Sequence, residues 1–109
     1  MAKTKVIPDE VRAQVEAIVE KFNREVVKDP HRYFSTRYRL KYLYLDRAYY
    51  KHVGPRARLT YTGDMNGWDF AIYKYTSETY DPKEWLFTGA EHVDGTVEGA
   101  LKAAMKAYL

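Results

Sequence analysis

The segment from Arg56 to Tyr75 limits what this chain can fold into more than any other. Ala57, Leu59 and Tyr61 alternate with Arg56, Arg58 and Thr60. Further on, Trp68, Phe70 and Ile72 alternate with Asp69, Ala71, Tyr73 and Tyr75. A period of two is the signature of strands with one face buried and one face wet. The residues between, TGDMNG, are turn formers, and Asn66-Gly67 favours the positive φ angles of a tight hairpin. The spacing therefore predicts an antiparallel hairpin over Arg56–Tyr75. Its apolar face must be covered by something else.

Two stretches of helical period supply the cover. Val11, Val15, Ile18, Val19, Phe22 and Val26 recur every three or four residues. They form one stripe on a helix that starts at Pro8, carries Asp9 and Glu10 in its first turn, and stops at the KDP of Lys28 to Pro30. At the other end, Val97, Leu101, Ala104, Met105 and Tyr108 line a helix from about Thr96, with Asp94 or Thr96 as its cap. Neither helix can bury its stripe alone. Laying both on one face of an antiparallel sheet solves both problems together.

Upstream of the hairpin, Phe34 to Leu45 reads as one long strand, and Asp46 to Pro55 as the loop that follows it. Tyr38, Leu40, Tyr42 and Tyr44 share one face of that strand; Arg37, Arg39, Lys41, Leu43 and Leu45 share the other. With Tyr38, Leu40, Tyr42, Ala57, Leu59, Phe70 and Ile72 turned toward the helices, the opposite face carries Arg37, Arg39, Lys41, Arg56, Arg58, Tyr73 and Tyr75. Trp85 to Phe87 adds a short fourth strand or tucks over the sheet end. The expected fold is a single α+β domain over residues 1–109: helix, three or four antiparallel strands, helix. Ile18, Phe22, Leu59, Phe70, Ile72 and Leu101 are expected to meet in one core.

Composition narrows the function classes. The chain has 109 residues, enough for one modest core and too few for separate catalytic and substrate domains. With no cysteine, disulfides and thiolate metal sites are excluded. His31, His52 and His92 lie in predicted loops, outside any metal-ligand spacing. Ser35 and Ser77 lack the glycine-flanked context of a nucleophile, and there is no glycine-rich phosphate loop. The expectation is a non-enzymatic domain without cofactor or metal. MAKTKVIPDEV at the start holds no apolar run of the kind that makes a signal peptide or membrane span, so the expected location is the cytoplasm, away from membranes.

The charge is unevenly placed. Residues 31 to 61 hold eight Arg or Lys and one acid, whereas residues 62 to 109 hold four basic and eight acidic residues. Tyrosine is also abundant, at eleven. Arginine and lysine neutralise phosphates, and tyrosine rings give bases a stacking platform. The residues Arg37, Arg39, Lys41, Arg56, Arg58, Tyr73 and Tyr75 are therefore the candidate interface for nucleic acid or another anionic partner. Two other readings stand beside it. The arginines keep an exposed sheet soluble, or the domain is an interaction module that works as a homodimer.

Two resemblances are carried by particular segments. GPRARLTYTGD (Gly54 to Asp64) and EGALKAAMKAYL (Glu98 to Leu109) look like the loop, second strand and alanine-rich last helix of the double-stranded-RNA-binding domain. That resemblance implies a helix–three-strand–helix order. Where that family opens its last helix with a lysine cluster, this chain reads DGTVEG. YLYLDR (Tyr42 to Arg47), RLTYTGDMNGWDFAIYKY (Arg58 to Tyr75), YDPKEW (Tyr80 to Trp85) and HVDGTVEGAL (His92 to Leu101) together resemble a small uncharacterised family of prokaryotic single-domain proteins, which implies no activity.

Overall fold

In the computed structural model, which describes residues 6–108, a helix precedes five antiparallel strands and a second helix follows them. The first helix, α1, spans Asp9–Phe22. Pro8 stands at its N-cap in an extended conformation, and its carbonyl accepts from the Val11 and Arg12 N–H groups. Val11, Val15, Val19 and Phe22 are buried as the periodicity predicts. A π-helical turn, Asn23–Val27, then rotates the chain, and Lys28 closes it at φ 57° with its N–H on the Asn23 carbonyl. The extra residue per turn carries Val26 off the stripe, and it is exposed rather than buried. It also aims Asn23 at the sheet. The Asn23 amide donates to the Phe34 carbonyl and accepts from the Phe34 N–H, at 2.9 and 2.8 Å.

The strands are β1 (Phe34–Arg39), β2 (Tyr42–Tyr49), β3 (His52–Thr60), β4 (Asp69–Lys74) and β5 (Thr79–Asp81), paired in chain order as one meander. The segment predicted as one long strand is thus two. Arg39 pairs with Tyr42, so the chain reverses over Leu40 and Lys41, with Leu40 at φ 54° and exposed. The Leu40 carbonyl accepts from the Ile7 N–H, and the Lys41 carbonyl accepts from the Tyr61 N–H. Long-range hydrogen bonds therefore hold a turn for which the local sequence has no glycine, proline or asparagine.

This reversal exchanges the predicted faces. A two-residue turn makes Arg39 and Tyr42 cross-strand partners, and partners share a face. Tyr42 and Tyr44 consequently lie with Arg37 and Arg39, and Leu43 and Leu45 are the residues buried under the helices, not Tyr42 and Leu40. The expected loop Asp46–Pro55 is also a correction. It is the continuation of β2 and the start of β3, joined by a tight turn at Tyr50 (φ 57°) and Lys51. Between β3 and β4 the positive φ falls on Gly63, at 97°, and not on Asn66-Gly67. Trp85 to Phe87 forms no strand. Trp85 and Phe87 pack on Phe70 instead, with ring centroids 6.1 and 5.9 Å away, and the last strand is β5.

The second helix, α2, spans Val97–Ala107. Its cap is Thr96, whose Oγ1 accepts from the Gly99 N–H at 2.9 Å, while Asp94 Oδ1 accepts from the Thr96 N–H and hydroxyl. Both helices lie on one face of the sheet and touch each other there. Phe22, Leu59, Phe70, Ile72 and Leu101 share the core with Phe34, Leu43, Leu45 and Val15, and Ile18 packs at its edge. Ala100, Ala103 and Ala104 bring the α2 backbone close to its neighbours. Gly89, at φ 103°, lies so near the Ala103 carbonyl that a Cβ would sit 2.8 Å from it. Among the described residues no helix is long and apolar enough to cross a membrane.

Candidate nucleic-acid interface

The face that the helices leave open is built from alternating arginine and tyrosine. Across the strands, Arg37 of β1 pairs with Tyr44 of β2, Tyr44 with Arg58 of β3, and Arg58 with Ala71 of β4. One step along, Arg39 pairs with Tyr42, Tyr42 with Thr60, and Thr60 with Asp69. Tyr73 and Tyr80 pair across β4 and β5 on the same face. Guanidiniums lie over rings throughout this layer. Arg37 is 4.7 Å from the Tyr44 centroid, and Arg58 is 4.8 and 5.5 Å from those of Tyr42 and Tyr80. Among the described residues the Arg58 Nε–H is buried with no hydrogen-bond acceptor, and its guanidinium lies over the Tyr42 and Tyr80 rings.

The layer also shows that the sheet is curled. Arg37 Nη2 is 3.5 Å from the Tyr80 hydroxyl, although β1 and β5 are the two edges of the sheet. Four strand spacings would separate flat edges by roughly 19 Å, more than these two side chains span together. The sheet therefore bends toward its open face. One contributor is a bulge between β2 and β3, where Leu45 opposes Ala57 and Asp46 opposes Pro55, leaving Arg56 as an extra residue. The curl brings Tyr80 onto Tyr44 and Tyr73, at 5.4 and 5.0 Å between centroids. Ala71 is only 3% exposed on a face without a helix, because this layer covers it.

Asp46 anchors the arrangement. It is the one buried charged residue among those described, 5% exposed, and it accepts from Arg37 Nε at 2.5 Å and Nη2 at 3.1 Å. That bidentate pair pushes the Arg37 guanidinium well above its usual range, chiefly through the hydrogen bond and then the opposite charge. Burial pushes the Tyr80 phenol upward as well. Arg39 and Lys41 stand differently. Both are exposed at the β1–β2 turn, and neither has a carboxylate within ion-pair distance among the described residues. A groove of about 710 Å³ runs between Arg12, Arg37, Arg39, Tyr44 and Tyr80.

Of the residues singled out in the sequence, Arg37, Arg39, Lys41, Arg58 and Tyr73 meet around this layer, with Lys41 in the turn and its Nζ 5.7 Å from the Tyr42 ring. Arg56 does not join them, and Tyr75 reaches the layer only at its edge, its ring 4.9 Å from that of Tyr73. The bulge sends the Arg56 guanidinium to the rings of Tyr75 and Tyr108, 5.9 and 5.4 Å away, and Tyr75 lies beyond the end of β4. Reasoning from parity failed here because a bulge breaks parity. Tyr42, Tyr44, Tyr80 and Asp46 were missed as members of the face. One sign of Asp46 was present: it is the lone acid among eight basic residues in its segment.

The histidines are dispersed. His31 stacks on Tyr50 at 4.9 Å, and His92 lies 3.7 Å from Glu91. Among the described residues, no three His, Asp or Glu side chains form a group able to hold a metal ion. No protein-family model, curated protein or solved structure matches this chain.

Proposed function

We propose that the open face binds single-stranded nucleic acid. What supports the reading is one observation: four tyrosine rings, Tyr42, Tyr44, Tyr73 and Tyr80, form a layer on the uncovered side of the sheet, with Arg39 and Lys41, exposed and without an ion-pair partner among the described residues, at its rim. Bases stack on such rings without regard to sequence, and Arg39 and Lys41 are placed to meet the phosphates. Arg37 and Arg58 serve mainly to hold the rings, the first through Asp46 and the second between Tyr42 and Tyr80. The groove beside Tyr44 and Tyr80 gives the strand a path. No chemical step is part of this function.

Fluorescence titration of labelled single-stranded RNA and DNA at several salt concentrations is the test. Binding should weaken as salt rises. Replacing Arg39 and Lys41 with alanine should flatten the logarithmic salt slope by roughly two units with little change in stability. Absence of binding by the unmodified protein at low salt overturns the reading. A concentration-dependent mass in that case would put the homodimeric interaction module in its place.

A further inference from the structure

We infer a second anion site, away from the tyrosine face, in which Arg32, Arg47 and Arg56 together hold one phosphoryl group. The three side chains line a single cleft with Ala48, Tyr49 and Tyr108, where the turn end of the β2–β3 hairpin meets the end of α2. Its volume of about 40 Å³ exceeds the roughly 10–15 Å³ that one water needs by the same measure, so it admits a small headgroup and little more.

Each arginine is braced before any ligand arrives. Arg47 Nε donates to the Arg32 carbonyl at 2.9 Å, and its guanidinium covers the Phe34 ring at 5.0 Å. Arg32 lies over Tyr49 at 4.7 Å, and Arg56 faces Tyr108 and Tyr75. Arg32 Nη2 also donates to the Tyr49 hydroxyl, and Arg56 Nη1 to the Pro55 carbonyl and the Tyr75 hydroxyl, so these contacts position each guanidinium and leave its remaining donors for a ligand.

The cations are poorly compensated. Asp29 is the carboxylate nearest to them among the described residues, 3.8 Å from Arg32 Nε, and its other oxygen already accepts from the His31 N–H. Arg47 and Arg56 have no acidic partner there. Among the described residues, Arg32 Nε and Arg56 Nε are buried with no hydrogen-bond acceptor. Arg47 also holds its proton less firmly than an ordinary arginine, first through burial and then through the charges of Arg56 and Arg32. A doubly charged tetrahedral oxyanion relieves that repulsion and offers oxygens to three guanidinium forks. A carboxylate brings a single charge and two coplanar oxygens, so it relieves less of the repulsion and meets three converging forks less well. An internal phosphodiester brings a single charge and too much bulk for the cleft. The ligand class is therefore inorganic phosphate or a terminal phosphate monoester.

The experiment titrates inorganic phosphate into the isotope-labelled full chain at constant ionic strength, with chloride as the control, and follows the arginine Nε–H resonances. Saturable shifts of the Arg32 and Arg56 signals are expected, together with a rise in Tm. Arg47→Gln should weaken binding about tenfold or more, as loss of a charged bidentate donor implies, whereas Arg39→Ala should leave it unchanged. Should Arg47→Gln fail to fold, Arg56→Lys decides, because it keeps the charge and loses the fork. Ribose 5-phosphate binding tighter than phosphate identifies a monoester as the ligand; equal or weaker binding identifies phosphate itself. Shifts no larger with phosphate than with chloride overturn the site, as does a saturable shift that survives both Arg47→Gln and Arg56→Lys.

Discussion

The two faces of this sheet are made by the same strands and solve burial in opposite ways. Under the helices, Leu43, Leu45, Ala57, Leu59 and Ile72 are dry and almost wholly aliphatic. On the other side, neighbouring residues of the same strands bury Asp46 and Ala71 with no helix at all, beneath tyrosine rings and guanidiniums. The covered face gains from removing apolar area from water, which is additive and tolerant of detail. The open face relies on cation–ring contacts of about 0.5–1 kcal/mol each and on one charged bidentate pair. Water competes with all of these, so the open face contributes less to stability. It stays accessible to a ligand for the same reason.

The comparison breaks most easily at the core. Leu45→Ala removes a side chain with no exposure, and should cost about 2–5 kcal/mol in a denaturant titration. If it cost no more than a change on the open face, the two faces would not differ as described. Asp46→Ala is the sharper probe of the open face. It strips Arg37 of its acceptor, but the Arg37 side chain is 56% exposed and recovers water, so the expected loss is about 1–2 kcal/mol. The same substitution should release Arg37 toward phosphates and raise affinity for labelled single strands. A larger loss of stability than for Leu45→Ala would make the Arg–Asp pair, and not the aliphatic core, the centre of the fold.

The smallest effect is confined to alkaline solution. Burial raises the Tyr80 phenol on the open face. At the edge of the covered face Tyr38 is raised too, first by burial and then by its hydrogen bond to the Glu16 carboxylate. A raised acid favours the folded state while it stays protonated. This contribution is complete below the ordinary value of 10.0 and is lost as pH climbs from there through the higher folded values. Stability should therefore fall above about pH 10, with phenolate absorbance appearing later than in the unfolded chain. Tyr38→Phe should remove part of that slope, and an unchanged slope would show that Tyr38 ionises freely.

Much of the fold was legible, and the misreadings have a common cause. Helices α1 and α2, the β3–β4 pairing and the burial of Phe22, Leu59, Phe70, Ile72 and Leu101 follow from periodicity. The β1–β2, β2–β3 and β4–β5 turns were not foreseen. Leu40, Tyr50 and Glu78 take positive φ there, at 54°, 57° and 54°, a conformation uncommon outside glycine and asparagine. Turn chemistry read from residue type was therefore blind to them. The candidate face was half visible: its arginines and Tyr73 showed in the charge count and the strand alternation, whereas Tyr42, with Tyr44 on the same strand face, was turned toward the helices because Phe34–Leu45 read as unbroken, and Tyr80 lay outside the expected strands.

By itself, then, the sequence determined the class of the fold, the two helical covers, the aliphatic core and the concentration of positive charge in the middle of the chain. These depend on composition and period, which are local and survive any particular turn. Only the tertiary structure decided which side chains share a face. A reversal at Leu40–Lys41, held by N–H groups of Ile7 and Tyr61, exchanged Tyr42 and Tyr44 for Leu43 and Leu45. A bulge at Arg56 separated it from Arg58 and sent it to Arg32 and Arg47. In a strand the side-chain period is two, so a single inserted or reversed residue moves everything after it to the opposite face. The bonds that fix such a step come from residues distant in the chain.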